Sequence, residues 1–117
     1  MPPLPTGTVT FLFTDIAGST ALWERDREAM QSALAQHDAL LRAAIESRGG
    51  HVFKTVGDAF CAAFARAQDA VEATVEAQRS LSAADWSMLG DAAPLRARMG
   101  LHTGEADERG GDYFGRR

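Results

Sequence analysis

His51-Val52-Phe53-Lys54-Thr55-Val56-Gly57-Asp58-Ala59-Phe60-Cys61-Ala62-Ala63-Phe64 reads as two short strands joined by a two-residue Gly-Asp turn. The hairpin holds Asp58 at a rigid tip. Upstream, Val9 to Ile16 is apolar, β-branched and aromatic, the signature of a central strand. A helical stretch begins near Gly18–Thr20. Met30, Ala33, Leu34, His37, Leu40, Leu41, Ala44 and Ile45 form its 3.6-residue stripe. Asp26 suits the cap of a second segment within it, with Glu28 in the first turn. Gly49-Gly50 stops it.

Downstream of the hairpin, Ala70, Val71, Thr74, Val75, Ala77, Gln78 and Leu81 mark a second helix. Ser82 to Pro94 reads as a connector that tacks Trp86 and Leu89 onto the core. Leu95 to Thr103 reads as a fourth strand, Gly104 to Gly111 as a polar turn region, and Asp112 to Arg117 as the last segment. The order β-α-β-β-α-β predicts an α+β, ferredoxin-like antiparallel sheet with both helices on one face. The other face is left for a ligand or a partner. Residues 1–6, rich in proline, read as a flexible lead-in, and residues 7–117 as one domain.

At 117 residues the chain supports a single core. Its net charge of −4 argues against nucleic-acid and anionic-membrane partners. A nucleotide ligand is compatible with that charge if a divalent cation supplies the local positive charge. The single cysteine, Cys61, excludes an internal disulfide and a cysteine-based zinc site. Its apolar setting reads as a buried, inert thiol. No run approaches the roughly 20 apolar residues that span a bilayer, and Met1-Pro2-Pro3-Leu4-Pro5 lacks the make-up of a signal peptide. The expectation is a soluble cytoplasmic protein. His37, His51 and His102 have no metal-ligand spacing.

Two aspartates carry the chemical reading. Asp15 ends the first strand and Asp58 sits at the hairpin tip. Carboxylates on neighbouring strand ends can hold a pair of divalent cations, and such a pair can clamp both oxygens of a phosphoryl transfer. The Gly18-Ser19-Thr20 turn can offer backbone N–H groups to phosphate oxygens at a helix start.

Four words in order carry a family resemblance: Phe13-Thr14-Asp15-Ile16-Ala17-Gly18-Ser19-Thr20, Lys54-Thr55-Val56-Gly57-Asp58, Gly100-Leu101-His102-Thr103-Gly104-Glu105 and Asp112-Tyr113-Phe114-Gly115. With them the chain resembles the class III adenylyl/guanylyl cyclase catalytic domain over residues 7–117. The resemblance implies conversion of ATP to 3′,5′-cyclic AMP and pyrophosphate. It implies two cations, Mg²⁺ or Mn²⁺, held by Asp15, Asp58 and the Ile16 carbonyl. It implies that Gly18, Ser19 and Thr20 hold the β- and γ-phosphates. Lys54 and Asp112 match the positions that read the purine edge, Lys54 donating to adenine N1 and Asp112 accepting from the exocyclic amine. Guanylyl enzymes usually carry an acid at the first of these. A head-to-tail homodimer is also implied, with Asp15 and Asp58 of one chain facing Lys54 and Asp112 of the other.

The family domain is longer than this chain. The resemblance puts a helix with an Asn and an Arg, which orient ribose and stabilise transition-state charge, beyond Arg117. The expectation is thus a C-terminally truncated catalytic domain with impaired turnover. The alternative is a catalytically silent, cyclase-derived nucleotide-binding or dimerisation module. Gly110-Gly111-Asp112-Tyr113-Phe114 also looks like the diguanylate cyclase signature. That reading is set aside, because the corresponding hairpin tip here is Gly57-Asp58 and Lys54 disfavours GTP.

Overall fold

A computed structural model describes residues 4–115. Strand β1 (Gly7–Ile16) leads into a short helix α1 (Ser19–Arg25) and a long helix α2 (Arg27–Ser47). The hairpin β2 (His51–Val56) and β3 (Ala59–Phe64) follows, then α3 (Ala67–Ala83), a 3₁₀ segment (Ser87–Ala92), β4 (Ala97–Arg109) and β5 (Asp112–Gly115). The sheet order is β2-β3-β1-β4-β5, antiparallel throughout.

Local chemistry accounts for the breaks. The Asp26 carboxylate accepts from Ala29 N–H at 3.1 Å and caps α2. Gly49 takes a left-handed φ of 75° just past the end of α2. The β2–β3 turn is the two residues Gly57 and Asp58, with Gly57 at φ 59°.

The core lies between the sheet and α2 and α3. Leu12, Leu41, Ile45, Phe60 and Phe64 pack there with Ala70, Ala73 and Ala77. Burying one side chain the size of Leu41 contributes about 1.5–3 kcal/mol. A second cluster joins Ile16, Met30, Ala33 and Leu81 to Trp86, Leu89 and Leu95. The connector is thereby tacked down as its apolar residues suggest, and Trp86 Nε1 donates to the Leu81 carbonyl at 2.7 Å.

Three expectations are corrected. Val71 and Val75 lie on the outer side of α3, 49% and 44% exposed. The buried stripe is Ala70, Ala73, Ala77 and Leu81, and its three alanines present small side chains to the sheet. The fourth strand does not stop at Thr103. It continues through the supposed turn region to Arg109, and only Gly110 and Gly111 form the turn into β5. Both turn glycines have positive φ, the backbone that a tight hairpin requires. Cys61 is half-buried rather than buried, because odd-numbered β3 residues face away from the helices.

Of the lead-in expected at residues 1–6, residues 1–3 lie outside the described residues, as do Arg116 and Arg117. Pro5 is held, its carbonyl accepting from the Tyr113 hydroxyl at 2.7 Å. Among the described residues no helix is long and apolar enough to cross a membrane.

Candidate active site

The sheet face away from the helices carries the chemistry. Alternation along β1 sends Val9, Phe11, Phe13 and Asp15 to this face. On β4, Arg98, Gly100 and His102 stand directly across from Asp15, Phe13 and Phe11. Cys61 on β3 stands across from Phe13 on the other side. On β2 the pairing slips between Val52 and Lys54, so that Lys54 stands across from Cys61. Such a bulge re-aims side chains. Here Phe53 and Lys54 both line the same face.

At one end, the hairpin tip that carries Asp58 meets the end of β1 that carries Asp15. The Ile16 N–H donates to Asp58 Oδ2 at 3.2 Å, which seats the hairpin tip against the end of β1. The Asp15 carboxylate is engaged by Arg98, Nε to Oδ1 and Nη2 to Oδ2, both at 2.8 Å. That two-point contact holds the Asp15 carboxyl below its ordinary pKa and raises Arg98 above its own. Sequence reasoning missed Arg98. Only the β1–β4 register reveals it.

At the other end, Lys54 Nζ lies 2.7 Å from Asp112 Oδ2. Hydrogen bonding to Asp112 raises the Lys54 pKa, and Lys54 lowers that of Asp112. The second Asp112 oxygen accepts from the Tyr113 N–H at 2.8 Å. A cavity of about 260 Å³ opens beside this pair, walled by Phe11, Phe53, Tyr113 and His102. A second depression of about 360 Å³ holds Asp15 and Arg98. Phe13 and Cys61 border both, so the two ends form one continuous surface. Burial raises the Cys61 thiol pKa.

Gly18 is the cap residue of α1, at φ 66°. Ser19 and Thr20 open the helix, where first-turn N–H groups have no partner within the helix. The cap of α1 has no side-chain hydrogen bond.

The Adenylate and Guanylate cyclase catalytic domain family matches residues 1–109. The chain belongs to that family. An uncharacterised protein of Mycobacterium tuberculosis is 42% identical over 113 residues, covering 95% of this chain and 36% of that protein. The adenylate cyclase of Podospora anserina is 42% identical over 84 residues, 72% of this chain and 4% of that enzyme. An adenylate cyclase of Trypanosoma brucei, solved in its monomeric state, superposes with a TM-score of 0.86 at 31% identity. That match covers 98% of this chain and 66% of the other. The chain therefore spans about a third of its bacterial relative and a small fraction of the fungal one.

For a cyclase domain the test of metal fit is the donor set. Among the described residues no group of three or more His, Cys, Asp or Glu side chains is arranged for a metal ion. The donors expected there, Asp15, Asp58 and the Ile16 carbonyl, would offer oxygen only. That is the preference of a hard cation such as Mg²⁺ or Mn²⁺, which fills its remaining positions with water and phosphate. Such a donor set would suit the cation, but in this structure both Asp15 oxygens are engaged by Arg98.

Proposed function

We propose that this chain is the catalytic domain of an adenylyl cyclase, forming 3′,5′-cyclic AMP and pyrophosphate from ATP. The observation that carries the reading is the shared sheet face, with Asp15 and Asp58 at one end and the Lys54–Asp112 pair at the other. Relatives named adenylate cyclase add support.

Lys54 keeps two further N–H donors while paired, and Asp112 keeps free lone pairs. The pair can therefore stay intact and still read a base, Lys54 donating to adenine N1 and Asp112 accepting from the amine. Guanine would set donor against donor and acceptor against acceptor at these positions, which is how a polar site discriminates. The Gly18-Ser19-Thr20 backbone receives the β- and γ-phosphates. Asp15, Asp58 and the Ile16 carbonyl hold the cations. Two bound Mg²⁺ or Mn²⁺ ions would acidify the ribose 3′-hydroxyl and neutralise the triphosphate and the leaving pyrophosphate. The 3′-oxygen then attacks the α-phosphorus in line.

The partner is a second copy of the chain, head to tail, so that the carboxylate end of one protomer meets the base-reading end of its partner. Phe13 and Phe114 are 45% and 53% exposed, and such apolar surface suits an interface. A second reading is a silent nucleotide-binding or dimerisation module. It draws on the Asp15–Arg98 contact, which occupies a carboxylate that the chemistry needs.

The test is product formation with Mn²⁺ at high protein concentration, from ATP and from GTP, beside Lys54→Glu. The proposal expects cyclic AMP from ATP, little cyclic GMP, and loss of cyclic AMP in the variant. A preference for GTP contradicts the substrate. No turnover of either nucleotide favours the silent module.

A further inference from the structure

The two base-reading residues sit on opposite edges of the sheet. β2 and β5 are separated by β3, β1 and β4. Four interstrand steps in a flat sheet put such edges about 19 Å apart. Lys54 Nζ and Asp112 Oδ2 are nevertheless in contact at 2.7 Å. The sheet must therefore bend so that the β4–β5 hairpin, paired over Ala106–Arg109, comes back toward Lys54 of β2, and something must hold that bend.

The residues next to the two readers do so. Phe53 precedes Lys54 and Tyr113 follows Asp112. Their rings meet edge to face, with centroids 4.8 Å apart. Both rest on Phe11 of the central strand, Tyr113 at 5.0 Å and Phe53 at 5.9 Å, again edge to face. Edge-to-face aromatic pairs in this range attract beyond their area burial. The bulge on β2 lets Phe53 and Lys54 share this face. Tyr113 is tied twice more. Its hydroxyl donates to the Pro5 carbonyl at 2.7 Å. Its own N–H fixes Asp112 Oδ1 at 2.8 Å.

We propose that Tyr113, with Phe53 and Phe11, is an aromatic clasp that positions Asp112 against Lys54 and so sets the purine selectivity of the site. Tyr113 acts through its neighbour and is a positioning residue. The inference rests on the base-reading role assigned above to Lys54 and Asp112. It adds that selectivity depends on ring packing that need not touch the base, with the Pro5 bond only a minor further hold on Tyr113.

The experiment measures the affinities of fluorescent N-methylanthraniloyl ATP and GTP in Mn²⁺. The chain is compared with Tyr113→Leu, Tyr113→Phe, Lys54→Met and the double variant Tyr113→Leu/Lys54→Met. Tyr113→Leu is expected to cut the ATP-over-GTP ratio about fivefold or more, mostly through weaker ATP binding. Tyr113→Phe keeps the rings and loses only the Pro5 bond, so it retains most of the ratio. Within the double variant, adding Tyr113→Leu to Lys54→Met should change the ratio no further, because both act on one contact. Should Tyr113→Leu fail to fold, Phe53→Leu perturbs the clasp from the other edge and should give the same fall.

An unchanged ratio in a folded clasp variant overturns the proposal, as does full additivity in the double variant. A chain with no preference for ATP at the outset overturns the base-reading role, and the clasp with it.

Discussion

Replacing Arg98 with alanine should tighten Mn²⁺ binding in the absence of nucleotide. The guanidinium makes two contacts of 2.8 Å with the Asp15 carboxylate. A cation arriving at Asp15 must break them. The side chains are 72% and 41% exposed, so water already screens the pair. Exposed ion pairs are worth little, somewhat more when bidentate. Removing the competitor should therefore tighten Mn²⁺ roughly twofold to fivefold. Free Mn²⁺ measured by electron paramagnetic resonance during a titration reads this directly. Arg96→Ala removes the same charge two residues along the chain without touching the Asp15 contact, and it controls for general electrostatics. The reasoning fails if Arg98→Ala binds Mn²⁺ no better than the parent chain, or if Arg96→Ala gains as much.

Packing and charge give four further outcomes. A methyl at Gly50 would lie within 2.8 Å of Ile45 Cγ2 and closer still to the Phe64 ring. Gly50→Ala should thus cost about 1–3 kcal/mol in urea unfolding, and a neutral result would mean the core yields there. Asp26→Ala removes the cap of α2 and should cost about 0.5–2 kcal/mol, read in the same assay. Asp15 and Asp112 have lowered folded-state pKa values. Their contribution to stability is complete above the ordinary carboxylate pKa and is lost as pH falls through the lowered values. Asp15→Asn should flatten the acid limb by no more than about 1 kcal/mol, given its exposure. Lys54 is shifted upward, so its contribution holds below its ordinary pKa and fades as pH rises through the raised one. Asp112→Asn should blunt both limbs, and an unchanged profile would count against the pair.

Where turn chemistry or burial wrote a pattern, the sequence was legible. Gly57-Asp58 between two apolar runs located the β2–β3 hairpin to the residue. Asp26 and Gly49 bounded α2. The end of β4 wrote no such pattern. Asp107, Glu108 and Arg109 lie in an edge hairpin with little burial, so nothing forces apolar alternation, and the stretch reads as a loop. In α3 the valines misled, because the alanines make the buried stripe instead. Among the proposed site residues, Asp15, Asp58, Lys54 and Asp112 stood out through their local words. Arg98 did not, since its partner is 83 residues away and only strand register joins them. The bulge at Phe53 and the bend that brings the β4–β5 hairpin toward Lys54 were equally out of reach, because both are properties of the folded sheet.

The most direct test of the account is cyclic AMP formation from ATP with Mn²⁺ by the chain, beside Asp15→Asn and Asp58→Asn. Removing a charge-stabilising group from such a site costs about two to three orders of magnitude. The account predicts Mn²⁺-dependent product from the parent chain and a loss of at least that size in each folded variant. Product that persists in both variants would contradict it.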